Sequence, residues 1–432
     1  MSQIKLLKKI KKYFSYHNIN PEDQNYYLTS FSISPGYLKL KELQNKSLGF
    51  FYKIKVYLLS LISSMRLINC KLFYKKIKKD YNAIILTWGK INNFSKNGSF
   101  QDNYFNQSSD NNKNFLWFII SLDGKKPKKL KKNIVLFLHN NLNIFNFFLI
   151  FFKFCKIIFI NLINSYNKNS FYYLEFLSLQ IWEKLKQFVH IDKLRKVIIP
   201  YEAQPFQNFV FNNIKKINKN ISTIGYAHSN QPFPTHLYKR KGAPDILYVH
   251  GADPKYHCER YLGWKNKDIK LCPSFRFVKK EKDKFKNTIF LPYDFHDEQF
   301  IIKKFFQLIK NNSSIFSSNL KIKIHPHKQF VRKHVRLKLK LKKLLINNFG
   351  NQNLKIEPIT IVIGGSSILL EALENKISPY HIFEDEITNI SSNLWPNIFV
   401  KKISNNCYQY SIKKFNSCIK FNKKKMNLNF FK

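Results

Sequence analysis

Residues 361–375 read IVIGGSSILLEALEN: a β-branched run breaks at Gly364 and Gly365, and after Ser366 and Ser367 the apolar residues Ile368, Leu369, Ala372 and Leu373 recur at helical spacing. A short, wholly apolar run that passes through glycines into a 3.6-residue periodicity is the pattern of a buried parallel strand turning into a helix. The same pattern recurs outward from this segment. Apolar runs bounded by turn residues stand at 288–291, 320–324, 360–363 and 379–383 in the second half, and at 83–87, 116–121, 134–138, 197–200, 223–226 and 246–249 in the first. Strands alternating with helical stretches predict an α/β fold with parallel sheets. Residues 273–286 are polar, charged and aperiodic. A boundary there divides the chain into residues 1–275 and 276–432, two units long enough to bury separate cores and to meet at a cleft.

Lys plus Arg number 74 against 26 Asp plus Glu, a formal charge of +48. Such charge points to nucleic acid or an anionic membrane surface. The chain is also saturated with Asn, Ile and Phe, the residues of AT-rich codons, and no nucleic-acid reader motif accompanies the charge. A nucleic-acid or anionic-polymer binder is therefore the minor reading. The six cysteines are scattered, without CxxC spacing, which fits a reducing cytosol. The basic N-terminus lacks the apolar stretch and cleavage site of an export signal. Residues 142–163 are long and apolar, but Lys153 and Lys156 sit in their middle and disfavour a span. A core helix or a helix lying in the bilayer interface remains. Residues 92–114, rich in Asn, Ser, Gly and Asp, read as a long mobile loop, and the last thirty or so residues as a basic tail against the first domain or the membrane.

Ser366 and Ser367 open a helix, where free N–H groups and hydroxyls attract an anion and glycines let a phosphate approach. Plain N-capping is the other reading of the same serines. The run LKIKIHPHK, 320–328, is an alternating strand ending at His325-Pro326. Ligands of parallel sheets bind beyond the carboxyl ends of the strands, where this histidine must lie. The alternatives are a solvated turn histidine or a metal pair of His325 with His327, for which no third ligand is near in sequence.

A His-Pro at a strand end, followed some forty residues later by Gly-Gly-Ser-Ser at a helix start, resembles the donor-binding motifs of bacterial capsule and surface-polysaccharide glycosyltransferases. These include polysialyltransferase-like enzymes, capsular ulosonic-acid transferases and related glycerophosphate transferases. The resemblance implies a GT-B fold, two Rossmann-like domains facing a cleft. It also implies donor phosphate or nucleotide binding by His325, Pro326, Gly364, Gly365, Ser366, Ser367 and Glu371, with residues 276–432 as the donor domain and 1–275 as the acceptor side. It covers the second domain well and the first loosely.

In the first domain, KVIIPYEAQPFQNFVF places Glu202 directly after an apolar strand, with Pro205 suited to a first helical turn. A carboxylate there can serve as general base toward an acceptor hydroxyl, or can be structural. The Tyr-Glu-x-Gln-Pro string also resembles first-domain motifs of surface-carbohydrate biosynthesis proteins. STIGYAHSNQPFPTH puts His228 at another strand end, able to bind acceptor, phosphate or the carboxylate, or to serve as a hydrogen-bonded loop histidine. Polysialyltransferase-like enzymes carry an acidic pair followed by glycine; here Leu122-Asp123-Gly124 is the nearest match, lacks the acidic partner, and its Asp-Gly is also a common turn signal. Glu202 is thus the first candidate base and Asp123 the second. No Asp-x-Asp after a strand, P-loop, GxSxG or zinc spacing is present. The expectation is an inverting, metal-independent transferase without cofactor, its substrate a nucleotide-sugar donor, CMP-linked sugars being one candidate class. Its acceptor is a glycan or lipid-linked glycan, and its place the cytoplasm or the inner membrane face. Polyol-phosphate transfer is the chemical alternative.

Overall fold

The computed structural model describes residues 3–431 other than 16–19, 24–25, 30–33, 69, 78–79, 112–113, 140–151, 153–172, 278–281, 314–315, 318, 351–357 and 423–427. The apolar stretch 142–163 lies outside the described residues but for Phe152. Among the described residues no helix is long and apolar enough to cross a membrane.

Three N-terminal helices, α1 (Gln3–Ser15), α2 (Pro35–Leu43) and α3 (Phe50–Met65), precede the first sheet. Its strands are β1 (Lys71–Tyr74), β2 (Ala83–Gly89), β5 (Phe115–Ser121), β6 (Ile134–Leu138), β7 (Lys196–Pro200), β8 (Ser222–Tyr226), β9 (Ile246–Val249) and β10 (Ile269–Leu271), with β3 (Gln101–Asp102) and β4 (Gln107–Ser108) forming a separate ribbon. The spatial order is β1-β6-β5-β2-β7-β8-β9-β10, parallel throughout except that β1 runs antiparallel to β6. Chain order reverses at β2: β5 and β6 stack to one side, β7 onward to the other. A topological switch point, where such sheets open a crevice, therefore lies between β2 and β7.

Both faces of this sheet are buried, which is why its strands are apolar runs rather than alternations. Ile84, Leu86, Leu116, Phe118, Val197 and Ile199 point to one core, shared with Phe176 and Ile181 of α4 (Tyr173–Leu185) and Phe206 and Val210 of α5 (Pro205–Ile217). Ala83, Ile85, Trp117, Ile119 and Ile198 point to the other, covered by Phe100, Phe105, Phe275 and Phe431. The segment read as a mobile loop is thus a packed cover. Its polar composition hides two phenylalanines that are fully buried, and a buried Asp102 that accepts from Thr87 Oγ1 (2.6 Å), Tyr104 N (2.8 Å) and Phe105 N (2.6 Å).

After α6 (Ala252–Arg260) comes a second sheet of β11 (Thr288–Phe290), β12 (Lys321–Lys323), β13 (Thr360–Ile363), β14 (Tyr380–Ile382), β15 (Ile398–Ser404) and β16 (Cys407–Ile412), ordered β12-β11-β13-β14-β16-β15. The first four are parallel and the β15–β16 hairpin closes one edge antiparallel. Here β12 and β13 lie on opposite sides of β11, so a second switch point lies between β11 and β13. Helices α7 (Glu298–Asn311), α8 (Arg332–Phe349) and α9 (Ile368–Glu374) complete this half.

Several contacts fix the two sheets against each other. Trp395 Nε1 donates to Pro232 O (2.8 Å), Gln3 Nε2 to Asn389 O (2.8 Å), and Lys41 ion-pairs with Asp385. After β16 the chain returns to the first sheet, Lys420 N donating to His250 O at 2.7 Å. The buried Glu374 carboxylate receives the backbone N–H groups of Asn416, Cys418 and Ile419 on that path.

Candidate active site

Beyond β7 the chain makes a strained turn. Ala203 lies in the left-handed region at φ +52°, which costs a non-glycine residue about 1–2 kcal/mol and is sustained only where the surroundings hold it. Arg240 Nη2 does so by donating to Ala203 O at 2.6 Å. Gln207, in the first turn of α5, accepts from Glu202 N (3.0 Å) and Gln204 N (3.1 Å) and donates to Pro200 O (2.8 Å). The turn thereby displays Glu202 at the switch point of the first sheet.

Glu202 lines a cavity of about 330 Å³ between the two sheets, together with Ser229, Gln231, Phe233, Tyr293, His325, Gly365, Ser366, Ser367 and Thr388. Behind it, His228 Nε2 donates to Glu202 Oε1 at 3.2 Å, and Gln204 Nε2 donates to Oε2 at 2.9 Å. Burial pushes the Glu202 carboxyl up, but the charge and hydrogen bond of His228, then His236 and Gln204, outweigh it and hold the group down at about 2. His236, buried beside this pair, is pushed down to about 4 by desolvation. His228 is itself buried, its Nδ1 unpartnered and its ring edge-on to Tyr104 at 4.5 Å. It supports Glu202 rather than lining the cavity.

From the second sheet come the residues beyond β11, β12 and β13. Tyr293 and His325 meet edge to face at 5.1 Å. Gly364 has φ +70°, and a Cβ there would stand 2.8 Å from Pro292 Cβ; one on Gly365 would stand 2.9 Å from Thr388 Cγ2. Packing alone thus requires both glycines. Ser366 Oγ accepts from Ile368 N at 3.3 Å, whereas Ser367, at the N-cap position, makes no side-chain cap hydrogen bond. The capping reading therefore accounts for Ser366 and not for Ser367, which lines both cavities.

His325, Ser366 and Ser367 also border a second cavity, of about 650 Å³, walled by Phe277, Phe290, Ile322 and Ile324 and edged by Arg276, Lys284, Pro326 and Glu371. Glu371 Oε1 accepts from Lys284 Nζ at 2.7 Å. The two cavities share one polar border, with a chamber of mixed aromatic, aliphatic and charged lining on one side and the Glu202 carboxylate on the other.

Asp123 is placed elsewhere. Its carboxylate accepts from Ile91 N (2.9 Å), Ser121 Oγ (3.1 Å) and Lys125 N (3.2 Å), ordering the turn after β5, and it lines neither cavity. These donors hold its carboxyl below the ordinary range against a raising effect of burial. Among the described residues no group of three or more His, Cys, Asp or Glu side chains is arranged to hold a metal ion. Tyr293, Thr388 and Arg276 join the site without belonging to any of the sequence motifs. Tyr293 alone carried a signal, since it follows an expected strand end by two residues.

Comparison with protein-family models finds no match, and comparison with curated proteins finds none. Among solved structures, a crystal structure of a glycosyltransferase from Rickettsia africae ESF-5 is similar at a TM-score of 0.32 and 14% identity, covering 70% of this chain and 79% of that one. An overlap that slight assigns neither fold nor activity to this chain.

Proposed function

We propose that the cleft is the active site of a GT-B-type glycosyltransferase that moves a sugar from a nucleotide donor to a surface glycan or lipid-linked acceptor. Residues 1–275 hold the acceptor side and 276–432 the donor side. The observation that carries this reading is the shared border of the two cavities: His325, Ser366 and Ser367 stand between a chamber lined by aromatic and aliphatic side chains together with the cations Arg276, Lys284, Lys323 and Lys338, which suits a nucleotide's base and charge, and a chamber ending at Glu202. A nucleotide placed with its phosphate on that border puts the anomeric carbon in the Glu202 chamber.

The chemistry follows as one displacement. The acceptor oxygen forms its bond to the anomeric carbon as the bond from that carbon to the phosphate oxygen breaks. The hydroxyl proton passes to Glu202, and the electron pair leaves with the nucleotide phosphate, stabilised by His325 and the serine hydroxyls. Single displacement inverts the anomeric centre. A carboxyl held at about 2 is ionised at neutral pH but a weak base, so proton transfer follows bond formation, when the attacking hydroxyl has become strongly acidic. The reaction as written needs no metal.

Exposed lysines occur on α1, after β5, on α8, on β15 and after β16, a dispersal over both halves that disfavours a single polyanion track. Thermal-shift measurement against CMP, CDP, UDP, GDP and their sugar conjugates tests the reading. One nucleotide class should raise stability, by about 2.7 kcal/mol at a hundred times its Kd. No stabilisation by any of them, with salt-sensitive saturable binding of oligonucleotides instead, overturns it.

A further inference from the structure

Helix α3 buries Val56, Ser60 and Ser64, and Ser60 Oγ accepts from Tyr173 N at the start of α4 at 3.0 Å. Its outer side is apolar and open to solvent: Phe50 is 72% exposed, Phe51 84% and Leu58 52%. At about 100° per residue, Phe50, Phe51, Ile54, Tyr57, Leu58 and Ile62 fall within one arc roughly 140° wide. Lys53 lies just beyond one edge of that arc and Lys55 just beyond the other, both exposed. An apolar stripe bordered by cations, with aromatic rings at one end, is the arrangement of a helix that lies in a bilayer interface.

The surrounding charge selects the kind of surface. Between Glu42 and Asp80 the chain carries nine Lys and Arg residues and no Asp or Glu. A hollow beside α3 is lined by Lys39, Lys46 and Lys53 together with Tyr57 and the carboxylates Asp23 and Glu42; Lys39 pairs with Glu42 and Lys46 with Asp385, so Lys53 is the cation of this hollow that adds to the charge of the face. Each cation near an anionic leaflet adds to attachment, whereas a stripe that met another protein copy would bring these same cations together.

We propose that the outer face of α3 is a membrane-docking surface, seating its apolar stripe in the interface of an anionic phospholipid bilayer with Lys53 and Lys55 at the headgroups. The helix lies on the membrane and does not cross it. This inference is independent of the catalytic reading.

Co-sedimentation of the full chain with vesicles of phosphatidylcholine, with and without phosphatidylglycerol, tests it. Binding should require phosphatidylglycerol and weaken with salt. Phe50→Ser with Phe51→Ser should lower partitioning at least about tenfold, and Lys53→Glu with Lys55→Glu should remove the preference for the anionic vesicle, both with unchanged thermal unfolding. Wild-type chain that ignores both vesicles overturns the proposal. So does undiminished binding by the phenylalanine variant, which would move attachment to another segment such as 142–163. Lipid-independent self-association that the phenylalanine variant abolishes would assign the face to a second copy.

Discussion

Exchanging Glu202 for Gln keeps the shape of the side chain and removes its charge. A carboxyl held at about 2 instead of the ordinary 4.5 has its ionised form favoured by the fold, and at 1.36 kcal/mol per unit this is about 3 kcal/mol. For a depressed carboxyl that stability is fully present above pH 4.5 and is lost as pH falls toward 2, so at pH 7 the variant forfeits it. The Gln oxygen still accepts from His228, which reduces the expected loss to about 1–3 kcal/mol. Urea unfolding at pH 7 measures it. In single-turnover transfer the variant should be slower by about 10²- to 10⁴-fold, with donor affinity retained because the residues proposed to hold the donor phosphate belong to the other sheet. Asp123→Asn, which alters a turn outside the cleft, should transfer at the parental rate. Parental transfer by Glu202→Gln beside an inactive Asp123→Asn would refute the assignment of the base, and an unchanged urea midpoint would refute the role given to His228.

Replacing Ser366 and Ser367 together by Ala should weaken nucleotide binding while costing about 0.5–2 kcal/mol of stability, the worth of the one cap that Ser366 supplies, as calorimetric titration and unfolding would record. His325→Ala should lower turnover most for donors whose leaving group carries most charge, measured as kcat across a series of nucleotide sugars. The protein should be acid-labile: burial lowers His236 and His381 to about 4 and His250 and His257 to about 3. The unfolded chain therefore binds protons that the folded chain refuses below pH 6.5; Asp102, raised to about 6 by burial, works the other way and offsets about one of the four, so stability should fall with a slope approaching about 4 kcal/mol per pH unit in urea titrations between pH 6 and 4.

Much of this architecture is legible in the sequence, because strands buried on both faces must be apolar throughout. Every strand expected from an apolar run overlaps an observed one, and those at 134–138, 246–249 and 360–363 coincide with β6, β9 and β13. The strands passed over are exposed or charged ones at or near sheet edges: β1, β10 with its solvent-facing Lys270 and Leu271, and the β15–β16 hairpin with Lys401 and Lys402. The cover at 92–114 escaped because two phenylalanines and one buried aspartate organise a segment whose composition is that of a loop. Glu202, His325, Ser366 and Ser367 were legible as polar residues just past strand ends. That they border one cavity depends on strand order, on the left-handed Ala203 and on inter-sheet contacts such as Trp395 to Pro232, none of which a local pattern encodes.

The most direct test is a crystal structure of the chain with the nucleotide that stabilises it. A phosphate should lie within hydrogen-bond distance of His325 and Ser367, with the nucleoside against Phe277 and Phe290 and the sugar or its vacant chamber extending to Glu202. A nucleotide seated instead in the hollow lined by Lys282, Lys286 and Lys376, by the amino-terminal ends of the second sheet's parallel strands, would contradict this placement.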